Sequence, residues 1–509
     1  MISLKSKVVI NMEKKKTFII IAVALLVLSI GITFAYFIAK TGPGSSANAN
    51  VTTGTVDDLK FNVSKENLSL NINQFNFASG SGNLSDNVTA TASLKANSTK
   101  NTAKYNYYVY FQIESNDYVY TTTDKKPEIV LSITGPNGEI TNVDGLTYVS
   151  ATNADGTVVK GFDITESKPS VVKIANAYEI SSSSSTNYTN QEWVFKVTFI
   201  NLNENQTGNQ GKTMSGKVLM QKDKLITNVS EVASSGDNLA TTLETFGTKS
   251  VPSISNLYHH DGTIKDANGN VIDAADGSYR FAGTSADVKN YICLGSSEEA
   301  CPDDNLYRII GVFGENNHGV KDQQLVKVIK NTSYGLYKWN VTGINDWAKA
   351  SLNTTLNSTF KTEKLSGFED KIAEVSWKVS GSGVVNATAK TLYMAEITSS
   401  TKTVTSKIGL MYPSDYGYAI TPDYWTTNLD SYNSAANQKD WLYLGTTEWT
   451  LTPSSYSSNF AWYLTSDGFV DNFTNVTISR EARPSFYLNS DVNYVSGTGT
   501  STDPIRIKL

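Results

Sequence analysis

Residues Thr17 to Ala39 carry no charged side chain, and that run constrains the chain more than any other feature. It reads Phe18-Ile-Ile-Ile21, then Ala22-Val-Ala-Leu-Leu-Val-Leu28, and ends near Phe34-Ala-Tyr-Phe37. A helix rising about 1.5 Å per residue over that length spans a hydrocarbon layer of roughly 30 Å. Lys5, Lys7, Lys14, Lys15 and Lys16 precede it, and only Lys40 follows before Lys60. A positive flank stays in the cytoplasm, so the chain after Lys40 is expected outside the cell. Met12 begins a more usual leader than Met1. A cut after Ala35 by signal peptidase is the rival reading, because Thr33 and Ala35 are small; it releases the chain instead of anchoring it. Both readings put the mature protein outside, at the cell membrane or secreted.

The chain beyond Lys40 is too long for one ordinary core, so two domains are expected. Residues 1–16 read as a cytoplasmic basic segment and 17–39 as the span. Residues 40–50, rich in Gly, Ser, Ala and Asn, read as a stalk. Residues 51–222 then read as strands. Leu68, Leu70 and Ile72 alternate with polar residues; Tyr107–Phe111, Ile129–Ile133 and Trp193–Phe199 are dense in β-formers, and a Gly-Pro-Asn-Gly turn fills 135–138. Short strands separated by turns predict a mainly β sandwich, jelly-roll-like. Residues 223–253 read as a linker holding a short helix, capped by Asp237 and stopped at Gly247. Residues 254–509 read as an α+β domain. In it Leu306–Phe313 pairs with Gln324–Ile329, Asn345 caps a helix carrying Leu352, Leu356 and Phe360, and the last residues form a closing strand.

The net charge of −5 and the absence of a basic run beyond the N-terminus exclude nucleic acid as a partner. The two cysteines, Cys293 and Cys301, flank a short loop; outside the cell a disulfide between them is expected. His259-His260-Asp261 reads as a surface hairpin, since adjacent strand residues point to opposite faces. His318 reads as a turn residue. Asp266 to Gly277 fails as an EF-hand, with Val271 where glycine is needed and Gly277 where glutamate is needed. The nucleophile elbow, phosphate-binding loop and dinucleotide fingerprint are all missing from the sequence, so no cofactor and no enzymatic activity is expected.

The Lys-rich start, the run Ser29-Ile-Gly-Ile-Thr-Phe-Ala-Tyr-Phe37 and Val51-Thr-Thr-Gly-Thr-Val56 resemble the N-termini of the camelysin/TasA family of Gram-positive surface and biofilm-matrix proteins. That resemblance implies a jelly roll and, if function follows, assembly into fibres. The protease activity described for camelysin is not implied, because His-Glu-x-x-His does not occur in the chain. Asn305–Gly311, Trp449–Pro453, Ala461–Gly468 and Arg483–Asn489 resemble an uncharacterised domain of Firmicutes surface proteins. Its pattern is similar to the C-type-lectin-like fold of formylglycine-generating enzymes. The resemblance implies an α+β unit whose long loops display a binding surface. The late cysteine pair of those enzymes is missing, and so are the calcium-lectin tripeptides.

The stretch Trp449–Arg483 interleaves aromatics with Ser, Asn and Asp, a combination suited to carbohydrate or protein recognition. Tyr456, Trp462, Asp467, Asn472 and Arg480 are its candidate ligand contacts. Tyr456, Asp467 and Asn472 are expected on an exposed loop; Trp449 and Trp462 read more readily as core, and Arg483 as making a buried or half-buried structural pair or a backbone contact. The functional expectation is an extracellular adhesion protein presenting this surface to a glycan or another protein. Its alternative is a secreted, self-associating fibre or matrix component.

Overall fold

The computed structural model describes residues 57–73 and 84–508. The expected membrane segment, 17–39, and the stalk lie outside them. No helix among the described residues is long and apolar enough to cross a membrane. The chain divides into two compact units, one ending at Leu225 and one beginning at Ile226.

The first unit packs two antiparallel sheets face to face. One runs in the order Asp58–Val63, Leu84–Lys95, Thr189–Phe199, Ile129–Gly135, Val158–Asp163 and Thr147–Thr152. The other runs Leu68–Asn71, Thr213–Gln221, Ala103–Asn116 and Ser170–Ser182. Alternation sets the faces: along Leu68–Asn71 the leucines are buried while Ser69 and Asn71 are exposed. Phe111 of one sheet stacks on Phe195 of the other at 5.8 Å, and Trp193 Nε1 donates to Tyr107 Oη at 2.9 Å. Trp193 itself is buried, so its indole N–H needs that partner. The unit is the β-sandwich that alternation implied.

The second unit is built on a mixed sheet and a smaller five-stranded one. The large sheet runs Ile408–Gly409, Ser485–Tyr487, Leu325–Lys330, Leu306–Phe313, Tyr291–Cys293, Ile505–Ile507 and Tyr494–Ser496; Tyr279–Phe281 joins along Leu306–Phe313, and Leu257–His259 pairs with Tyr279–Phe281 in turn. Leu306–Phe313 and Leu325–Lys330 pair antiparallel and are buried at every position, Arg308, Lys327 and Lys330 included. Gly311 is required there: a Cβ on it would stand 2.1 Å from the Tyr279 carbonyl oxygen. The closing strand, Ile505–Ile507, pairs parallel with Tyr291–Cys293.

Several local expectations need correcting. The helix Leu239–Lys249, assigned to a linker, buries Leu239, Leu243 and Phe246 in the core of the second unit. Its cap is Asn238, whose side chain accepts from Thr241 N–H, while Asp237 turns away to accept from Ser234 N–H. Gly247 lies inside the helix, where a side chain would strike Tyr279 at 2.6 Å. Asn345 caps nothing. Its amide nitrogen lies 2.7, 2.9 and 2.7 Å from the carbonyl oxygens of Ser454, Ser457 and Phe460, so it pins a distant loop. The helix it was expected to start begins at Ser351 and does bury Leu352, Leu356 and Phe360. His260 is core rather than surface: it is fully buried against Tyr418 and Trp425. His318 is likewise buried, against Tyr487.

Candidate functional site

The five-stranded sheet runs Gly335–Lys338, Ser479–Ala482, Glu448–Pro453, Phe460–Leu464 and Val470–Asn475. Val470–Asn475 is therefore an edge strand, and its register slips. Ala461 faces Thr474 and Tyr463 faces Asp471, so Asn472 and Phe473 together oppose Trp462. Two residues against one is a β-bulge, which breaks the ladder locally and redirects side chains. The Asp471 carboxylate takes up the freed groups. Its Oδ1 accepts from the N–H of Asn472 at 2.6 Å and of Phe473 at 3.2 Å, and its Oδ2 accepts from Tyr463 O–H at 3.0 Å.

Alternation along the strand turns Val470, Asn472 and Thr474 inward and Phe473 outward. Phe473 is 55% exposed and stacks on Tyr456, itself 50% exposed, with centroids 5.3 Å apart and planes 26° from parallel. Phe460 meets Phe473 edge-on at 6.4 Å. The loop carrying Tyr456 is the one Asn345 pins. An apolar cavity of about 80 Å³ opens beside the pair. Its walls include Val384, Ala387, Leu392, Leu429 and Trp462, with Asp430 and Asp471 also lining it. Trp462 is fixed by its Nε1, which donates to the Ser382 carbonyl at 2.9 Å. Asn472 lines the same cavity, is 2% exposed, and its Nδ2 meets no acceptor among the described residues. A buried amide donor without a partner costs about 1–3 kcal/mol.

The structure thus brings together Tyr456, Trp462 and Asn472. Asn472 is not on an exposed loop, as the sequence suggested: it lies in the edge strand, where alternation puts it on the buried face with Val470 and Thr474. Asp467 is exposed in the turn between the two strands and does not line the cavity; its carbonyl accepts from Asn437 Nδ2. Arg480 also stands apart. Its guanidinium lies 3.7 Å over the Tyr463 ring and donates through Nη2 to Thr474 Oγ1 at 2.6 Å. Burial lowers its pKa, with Tyr463 and Asp471 opposing. The far wall, Val384 to Ala387 with Leu429, was invisible to sequence reading because nothing local marks a segment that closes a cavity from a distance.

Cys293 and Cys301 are joined in a disulfide. The loop they close is held by Arg506, whose Nη1 donates to the Ser296 carbonyl at 3.1 Å and Nη2 to that of Glu299 at 2.9 Å. Among the described residues no three His, Cys, Asp or Glu side chains are placed to hold a metal ion. No protein-family model matches the chain, and no curated protein matches it.

Proposed function

We propose that this chain is a surface-anchored binding protein whose second unit presents the Tyr456–Phe473 platform and its adjoining cavity to a glycan. The observation that carries the reading is the exposed, near-parallel aromatic pair beside an apolar cavity. Sugar rings present C–H faces that pack on aromatic planes. The uncharged run behind clustered lysines supports the anchor, and the disulfide suits an oxidising compartment. In this reading the first unit is a jelly-roll-like stalk of camelysin/TasA type and the second a lectin-like α+β domain. A glycan array probed with the extracellular chain tests the proposal. Binding that vanishes in Tyr456→Ala/Phe473→Ala is the expected result, and no glycan above background, or binding to a protein bait instead, counts against it.

One observation favours the second reading, a matrix-forming protein. The strand Ser170–Ser182 ends its sheet, and its outer edge pairs with nothing among the described residues. Such an edge can accept a strand from another copy. Its pairing with Ala103–Asn116 is interrupted twice, which twists it and lowers that capacity. Light scattering of the cleaved chain at high concentration separates the readings: growth into fibres supports the matrix role, and persistent monomers oppose it.

A further inference from the structure

Away from the aromatic platform, the core of the second unit holds an amine and two carboxyl groups at close quarters. Lys327 sits in Leu325–Lys330, whose six residues are all buried, and is itself 1% exposed. Its Nζ lies 2.6 Å from Oδ2 of Asp415, in the first turn of the helix Pro413–Ala419. That same oxygen accepts from Tyr412 N–H at 2.8 Å. The rings of Tyr412, Trp377, Tyr487 and Phe313 stand 4.5 to 5.8 Å from Nζ and shut out water.

The second carboxyl is Glu396, 3% exposed. Its Oε1 accepts from Thr452 Oγ1 at 3.0 Å, and its Oε2 accepts from the N–H of Ser414, the residue bonded to Asp415, at 3.2 Å. An ordinary buried ion pair accounts for Lys327 with Asp415. It does not account for a third ionisable group placed beside them that has no cation of its own among the described residues. Burial pushes the Glu396 carboxyl up to about 8, so it keeps its proton at neutral pH. Burial likewise lowers the Lys327 ammonium, and the Arg280 cation adds to that, while Asp415 and Glu396 oppose. An amine inclined to lose its proton, a carboxyl within bonding reach and a protonated acid alongside are the components of an amide condensation.

We propose that Lys327 and Asp415 condense into an intramolecular amide, with Glu396 carrying the proton. Proton transfer within the ion pair gives the neutral amine and the neutral carboxyl. The Nζ lone pair adds to the Asp415 Cγ, and the Tyr412 N–H holds the oxygen on which charge develops. Glu396 gives its proton to the departing hydroxyl and takes one back from Nζ. One C–N bond forms, one C–O bond breaks, one water leaves and Glu396 is unchanged, so nothing is oxidised or reduced. Proximity supplies the drive: the partners are held on a strand and a helix of one rigid core, with water excluded. The product ties two segments 88 residues apart, a gain for a protein exposed to proteases and pulling forces.

Intact-mass spectrometry of the extracellular chain tests this. After reduction of the disulfide, the expected mass lies below the sequence mass by that of one water. A tryptic digest then yields one branched peptide joining Lys327 to Asp415, uncleaved at Lys327. Lys327→Arg and Glu396→Gln restore the full mass. Wild-type protein at the full mass, with a free peptide ending at Lys327, overturns the proposal whether or not the variants fold. Loss of water persisting in Glu396→Gln overturns the role given to Glu396.

Discussion

Replacing Arg483 by Met removes the cation from a sealed site, and the cost can be worked from its neighbours. Arg483 Nε donates to Glu448 Oε1 at 2.7 Å and Nη2 donates to the Leu442 carbonyl at 2.7 Å; both charged side chains are 2% exposed. Burial already pushes the Glu448 carboxyl above its usual 4.5 while Arg483 pulls it down. With the guanidinium gone, the acid escapes charge burial by taking a proton. At about pH 7 that costs roughly 3.4 kcal/mol for a group with an ordinary value of 4.5. The orphaned Leu442 carbonyl adds roughly 1 kcal/mol. The sum, about 4 kcal/mol, falls in the range of about 3–5 kcal/mol expected when one half of a buried pair is removed. The loss also depends on pH. In the variant the folded-state pKa of Glu448 is raised far above the unfolded one, so the penalty is small below the unfolded pKa and grows as pH rises. Urea unfolding followed by tryptophan fluorescence reads the transition of the second unit, which carries Trp339, Trp347, Trp377, Trp425, Trp441, Trp449 and Trp462. The loss relative to wild type should shrink by about 2–3 kcal/mol between about pH 7 and pH 5. Adding Glu448→Gln should recover a similar amount at pH 7. A loss below about 1 kcal/mol, or one indifferent to pH, refutes the dominance of charge burial at this site.

Three further outcomes are expected. Cys293→Ser/Cys301→Ser should lower stability by roughly 2–3 kcal/mol by loop-closure entropy, seen as a lower urea midpoint at unchanged slope. Asp471→Ala removes the acceptor of two bulge N–H groups and of the Tyr463 hydroxyl; hydrogen exchange at Asn472 and Phe473 should accelerate, with a stability loss of about 1–2 kcal/mol. Tyr456→Ala and Phe473→Ala should each weaken glycan binding about tenfold in calorimetry, while leaving the unfolding midpoint nearly unchanged, because both rings are exposed.

Much of the scaffold was legible because the core needs a repeating pattern. Period-two alternation placed the sandwich strands, and density in β-formers placed Leu306–Phe313 beside Leu325–Lys330. Arg483 reads from sequence as a structural pair or a backbone contact, and it makes both, to Glu448 and to the Leu442 carbonyl. The features that stayed hidden depend on exceptions to the pattern. The bulge at Asn472 comes from a register slip of one residue, which period-two reading cannot detect. Asn345 reads as a helix cap by composition, yet its acceptors lie more than a hundred residues away. Lys327 and Asp415 meet only because a strand and a helix are adjacent in the fold.

Ligand is held to bind at the platform formed by Tyr456 and Phe473, with the amide of Asn472 behind it. Titrating a glycan bound on the array into isotope-labelled extracellular chain, and following side-chain resonances, measures this directly. The prediction is shifts at the rings of Tyr456 and Phe473 and at the neighbouring Asn472 amide. Saturable binding that leaves those three signals unmoved while others shift contradicts it.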